Sequence, residues 1–307
     1  MQMIATENLT RKFGGLTAVD GLSFHVDRGE VFGLLGPNGA GKTTTVRMIC
    51  CLIGKTSGKA TVGGFSIDDP AGTMNIRKLI GLVPDNVGLY EFYSAYKNLM
   101  YFGRLYETPE SRITSNIESL MKKLDLWDRK DDPVSTYSKG MKQKVAIARA
   151  LVHDPEILVM DEPTANLDPE AARTIRDTIL DLKKEGRTIL LNTHNLDEAQ
   201  RLCDTIGILK TKLLAVGKPQ NLERSIFGRN TVIQLEYAGD EVVQAVRGTN
   251  PRKYTVEGNS ITLELDDPEK ETPRIVSAIV AAGGKIKSVN ETTGSLEDVY
   301  LKLVRGE

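Results

Sequence analysis

Gly36-Pro37-Asn38-Gly39-Ala40-Gly41-Lys42-Thr43, with Thr44 behind it, fits G-x-x-x-x-G-K-[ST], the phosphate-binding P-loop. The apolar run Val31-Phe32-Gly33-Leu34-Leu35 before it predicts a buried strand, and the stretch from Thr44 to Ile53 after it predicts a helix. Strand, glycine loop and helix are the context the motif requires. The glycines let the successive N–H groups of Asn38, Gly39, Ala40 and Gly41 curl around phosphate oxygens. The helix N-terminus adds unpaired donors and a partial positive charge. In this motif Lys42 reaches the β- and γ-phosphates and the Thr43 hydroxyl ligates Mg²⁺. A nucleoside triphosphate is the expected ligand.

Ile157-Leu158-Val159-Met160-Asp161-Glu162 reads as an apolar strand ending in two carboxylates. Asp161 suits the Walker B role of holding Mg²⁺, and Glu162 is placed to polarise an attacking water as general base. Downstream of the P-loop, Tyr137-Ser138-Lys139-Gly140-Met141-Lys142-Gln143 precedes a helical run from Val145 to Val152, with Ser138 as its N-cap.

This last segment resembles the signature motif of ATP-binding cassette (ABC) ATPases, commonly L-S-G-G-Q, here in a Y-S-K-G-M variant associated with export-type systems. The resemblance covers about residues 1–224. It implies that Phe13 stacks on adenine and that Ala165-Asn166-Leu167-Asp168 is the D-loop. It also implies that His194, after the strand from Thr188 to Asn192, is the switch histidine at the γ-phosphate. Two cassettes of the family pair head to tail. Ser138 and the Gly140 N–H are then expected to complete the γ-phosphate cage of the partner, and Met141 and Asp168 are expected nucleotide-binding residues as well. The expected catalytic set is Glu162, His194 and Lys42; the expected metal set is Thr43, Asp161 and Asp85. Asp85 is a departure, because the family carries glutamine there. Aspartate offers a charged acceptor and no donor, and it can still ligate Mg²⁺. His25 and His153 lie outside the series and read as structural.

The chain has 307 residues, 40% hydrophobic and 26% charged, with a net charge of −1, enough for two domains. No run of 18 or more apolar residues suggests a span, and Met1–Glu7 carries no signal-peptide pattern. Cys50, Cys51 and Cys203 show no metal or redox spacing. A cytoplasmic protein, held on the inner face of the membrane by permease subunits on separate chains, is the expectation, as a homodimer or heterodimer.

The expected fold class is α/β: a P-loop NTPase (ABC ATPase) domain over 1–224, with a helical subdomain at about 94–153, and a small C-terminal α+β domain over 225–307. Leu99, Phe102 and Leu105, then Ile113, Ile117, Leu120 and Leu124, carry the helical periodicity of the subdomain. Lys218–Asn230 reads as a connector. Beyond it the order β-α-β-β-α-β, with a hairpin at Gly258-Asn259, is that of the ferredoxin-like motif. Ile275, Ile279 and Val280 are its expected inward helix positions. The tail from Ser295 to Leu301 resembles the ends of export-type cassettes. Residues 225–307 hold 10 Lys and Arg against 13 Asp and Glu, which argues against a nucleic-acid grip. The resemblance implies an ATP-hydrolysing transporter subunit, with export favoured. An importer motor with a ligand-sensing C-terminal domain and a non-transport ABC ATPase are the alternatives.

Overall fold

Strands β1 (Gln2–Phe13) and β2 (Leu16–Asp27) pair antiparallel. With β4 (Ser57–Val62) and β5 (Phe65–Ser66) they form a sheet of order β2-β1-β4-β5. In β2, burial alternates from Leu22 to Val26, so this sheet covers the core with one face only. The structure is a computed structural model describing residues 1–227, 230–292 and 295–306. It divides into two compact units, Met1–Lys218 and Pro219–Glu307.

A second sheet positions the site. In β3 (Val31–Leu35), β7 (Ile157–Asp161) and β8 (Thr188–Thr193) every residue is buried. Such uninterrupted burial belongs to parallel strands covered on both faces. Together with β6 (Ile80–Val83), β9 (Thr205–Lys210) and β10 (Lys212–Gly217) they run in the order β10-β9-β3-β8-β7-β6. All neighbours are parallel except the edge strand β10, which turns back on β9. The P-loop, Asp161-Glu162 and Thr193-His194 thus emerge side by side at the carboxyl ends of β3, β7 and β8. Open α/β sheets bind ligands there.

Helix α1 (Lys42–Ile49) follows the P-loop and is shorter than the sequence suggested. Cys50 is its C-cap and Cys51 has φ +54°, so neither lies within the helix. Helix α2 (Pro70–Leu79), not anticipated from sequence, is started by Asp69, whose carboxylate accepts from the Ala71 and Gly72 N–H groups. The helical subdomain comprises α3 (Ala95–Leu105), α4 (Glu110–Lys123) and α5 (Lys139–Leu151) around Leu99, Ile113, Ile117 and Val145. Leu105, expected inward, is exposed. Helices α6 (Pro169–Lys184) and α7 (Leu196–Leu202) complete the unit.

The second unit begins at Pro219, earlier than the 224/225 boundary expected. Much of the expected connector is a helix, α8 (Pro219–Phe227); Gly228 and Arg229, within that connector, lie outside the described residues. Next come β11 (Asn230–Leu235), α9 (Asp240–Gly248), β12 (Lys253–Glu257), β13 (Ser260–Glu264), α10 (Pro268–Ala281), β14 (Ile286–Thr292) and α11 (Leu296–Arg305). The sheet order is β12-β13-β11-β14, every neighbour antiparallel, as the ferredoxin-like reading requires. Ile233, Val246, Ile261, Ile275 and Ile279 form its core. Val280 is 59% exposed: one residue past Ile279 on a helix is turned by about 100°, too far to share its face.

Candidate nucleotide site

Two glycines explain why the P-loop can form. Gly41 has φ +100°, and a Cβ on it would lie 2.4 Å from the Ala18 carbonyl oxygen. Gly36 would meet the Leu209 carbonyl oxygen at 2.3 Å. At Gly41 only glycine relieves both the dihedral and the contact, and at Gly36 the lack of a Cβ relieves the contact. The loop then frames a cavity of about 420 Å³ lined by Phe13, Asn38, Gly39, Ala40, Gly41, Lys42, Thr43, Thr44, Asp85, Asp161 and Glu162, with Leu16, Thr17, Ala18 and Thr211. Eleven residues singled out from sequence meet here, although they come from β1, the P-loop, the segment after β6 and the end of β7.

Lys42 is buried. Its Nζ donates to the Gly36 and Pro37 carbonyls at 2.7 and 3.2 Å and lies 3.6 Å from Glu162 Oε1. Burial pulls its pKa below the usual lysine value, against the opposing charges of Glu162 and Asp161. Asp161 is 4% exposed. Burial raises its carboxyl above the usual range, with the charges of Glu162 and Asp85 acting the same way, while hydrogen bonds from Thr43 and Asn192 act against them. The Asn192 side-chain amide donates directly to Asp161 Oδ1. Glu162 sits at φ +51°, its N–H held by the Asn192 carbonyl at 2.8 Å. Its Oε2 lies 2.8 Å from His194 Nδ1. His194 is thereby joined to the cavity through Glu162.

The donor set suits magnesium. Thr43 and Asp161 are hard oxygen donors, with Asp85 lining the same cavity, and a buried carboxylate among like charges gains from a cation. Among the described residues no group of three or more His, Cys, Asp or Glu is arranged to hold a metal alone. Magnesium commonly takes one or two protein carboxylates and completes its shell with phosphates and water.

Ser138, Gly140, Met141 and Asp168 do not line this cavity. Ser138 is the N-cap of α5, its Oγ accepting from the Met141 N–H at 3.2 Å. Asp168 caps α6 through the Ala171 N–H at 2.8 Å. The two helix starts meet: a Cβ on Gly140 would come within 2.7 Å of the Ala171 Cβ. Met141 packs against the helical-subdomain core. Sequence reasoning passed over Asn192, which bonds to Asp161 and Glu162, and over Thr164, Thr193 and Glu198, which bond to one another beside them. Their one sequence signal was that Asn192, Thr193 and Glu198 closely flank His194.

Over 98% of its length the chain is 34% identical to the linearmycin resistance ATP-binding protein LnrL of Bacillus subtilis, of which it covers 98%. It belongs to the ABC transporter family as an ATP-binding subunit. A family model described as ABC transporter matches residues 19–165 of this subunit, and a model of the C-terminal domain of DrrA1-3-like ATP-binding proteins matches residues 217–304. The Nod factor export ATP-binding protein I of Ralstonia nicotianae is 35% identical over 99% of the subunit and 94% of the relative. A solved ATP-binding subunit of an ABC transporter superimposes with TM-score 0.66 at 30% identity, covering 73% of this chain and 92% of that one. A dimeric cassette in a post-hydrolysis state, bound to ADP and Pi, gives TM-score 0.64 at 25% identity over 70% and 98%. The subunit is therefore an ATPase of the cassette type, a family that dimerises and works with membrane permeases. Among its described residues no helix is long and apolar enough to cross a membrane.

Proposed function

We propose that this subunit is the motor of an exporter, hydrolysing Mg²⁺-bound ATP between two cassettes seated on permease subunits at the inner face of the membrane. The observation that carries the chemistry is Glu162, whose two carboxylate oxygens face Lys42 at 3.6 Å and His194 at 2.8 Å at the rim of the P-loop cavity. Glu162 takes a proton from water as the water oxygen bonds to the γ-phosphorus and the bond to the bridging oxygen of ADP breaks. Lys42 and His194 counter the charge on the transferring group. Phe13, 45% exposed, presents its ring to adenine while the Arg11 guanidinium covers it at 4.4 Å. Thr43 and Asp161, with Asp85 beside them, would hold Mg²⁺, which would supply positive charge to counter that of the phosphates. Ser138, Gly140, Met141 and Asp168 act on the nucleotide of the second cassette, a reading supported by their separation from this chain's own cavity.

Export is supported by the relatives whose names state resistance and Nod factor export. Docking to a permease is supported by two neighbouring features of this unit. Phe92 and Tyr93 are 93% and 51% exposed in Leu89-Tyr90-Glu91-Phe92-Tyr93. A cavity of about 520 Å³ opens beside them between α2 and α3, lined by Leu52, Met74, Phe102 and Leu105. Tyr90 stacks on Phe102, joining the two. An apolar patch of this kind suits a helix from a membrane subunit. Affinity capture of the subunit from solubilised membranes tests the reading. A permease should co-purify with wild type and be lost from Phe92→Asp plus Leu105→Asp. Capture of a permease with a solute-binding protein would mark an importer instead.

A further inference from the structure

Glu198, in the first turn of α7, is 1% exposed and does not line the nucleotide cavity. Its Oε1 accepts from the Thr164 hydroxyl and its Oε2 from the Thr193 hydroxyl, each at 2.7 Å. Thr164 lies two residues after Glu162, and Thr193 immediately precedes His194. One buried carboxylate is therefore bonded to both backbone segments that carry the Glu162–His194 pair. The hydroxyl of Thr193 is itself oriented, because it accepts from the Asn195 N–H at 3.0 Å, and Asn195 Oδ1 accepts from the Glu198 N–H at 3.1 Å. A buried carboxylate is costly unless its oxygens are satisfied. A side chain needed only to fill space here would be apolar.

We propose that Glu198 is a positioning residue for hydrolysis. Its carboxylate clips the loop after β7 to the end of β8 and so sets the distance and angle at which His194 meets Glu162. The inference rests on the roles given above to Glu162 and His194. Glu198 touches neither nucleotide nor metal and acts through Thr164 and Thr193. Loosening the clip misplaces two groups used in the transition state, so it lowers kcat and leaves nucleotide binding nearly intact. Displacements near 1 Å in such sites cost up to about a hundred-fold.

The test is a kinetic cycle on the full chain with Mg²⁺ and ATP. Glu198→Ala should lower kcat by about ten-fold or more with KM within about three-fold of wild type. Thr164→Val and Thr193→Val, which each cut one arm, should lower kcat to a smaller extent. In a His194→Ala background, adding Glu198→Ala should cost clearly less than in wild type, since the arm through Thr193 then has nothing to position and only the arm through Thr164 to Glu162 remains. Equal loss from Glu198→Ala in both backgrounds, or a raised KM at unchanged kcat, overturns the clip alone. Unchanged kcat in His194→Ala by itself overturns the assignment of His194, and the clip with it. Should Glu198→Ala fail to bind nucleotide or to unfold cooperatively, Thr193→Val with His194→Ala supplies the same cycle: a loss that vanishes in the His194→Ala background supports the clip, and an equal loss in both overturns it.

Discussion

Replacing Glu162 by glutamine keeps the shape of the side chain and removes its charge and its basicity. The hydrogen bond to His194 Nδ1, 2.8 Å in the wild type, can be retained by the amide, so the geometry of the pair should survive. Lys42 loses one of the two carboxylates that oppose its desolvation, a gross attraction of about 4 kcal/mol for charges near 4 Å apart at an effective dielectric of 20. ATP supplies several negative charges at the same place, so nucleotide affinity should hold. Asp161 also loses a like charge, which lowers its carboxyl pKa and favours a bound cation. The kinetic effect is different. An amide cannot accept the proton of the attacking water, and losing a general base costs about 10²- to 10⁴-fold, or about 3–5 kcal/mol on the barrier. Phosphate release at saturating ATP should therefore fall at least about a hundred-fold, while a fluorescent ATP analogue still binds and size exclusion shows an ATP-dependent dimer. Turnover within about three-fold of wild type would remove Glu162 as the base.

Ser138→Arg should leave ATP binding by the isolated subunit intact and block hydrolysis, and mixing it with Lys42→Ala should restore some turnover through one composite site; loss of ATP binding by the Ser138→Arg subunit alone would show that the signature acts in cis. Asp85→Gln removes a charge from the cavity that holds Asp161, so activation curves for Mg²⁺ and Mn²⁺ should move to higher metal concentration at fixed ATP; superimposable curves would place Asp85 outside the metal's surroundings. His153 is stacked on Tyr106 at 3.6 Å, and burial lowers its pKa from 6.5 to about 4. The folded state resists protonation that the unfolded state accepts, so stability should fall as pH drops from 6.5 to 4, by up to about 3 kcal/mol. Urea unfolding of His153→Gln should lack that part of the pH dependence, and parallel curves for the two proteins would refute it.

The sequence by itself determined the features written in contiguous windows. The P-loop was legible because its glycines, Lys42 and Thr43 stand at fixed spacing in one short window. The central strands were legible because residues such as Ile157 to Met160 are apolar on both faces. Ser138 was read as a cap from the helix start beside it. The alternation of strand and helix signals after Asn230 gave the ferredoxin-like order, which the strand pairing bears out. Tertiary structure decided what depends on residues far apart in the chain. Phe13, Asp85 and Asp161 reach one cavity because β1, β6 and β7 lie in sheets that the chain crosses several times. Val280 belonged to an apolar run, yet the rotation of α10 turns it outward. Glu198 reads in one dimension as an acidic residue in the first turn of a helix, where the dipole alone would account for it. Its bond to Thr193 is local, but its bond to Thr164 exists only because the turn after β7 folds against the same helix, and a hydrogen bond spanning 34 residues leaves no local pattern from which to read it.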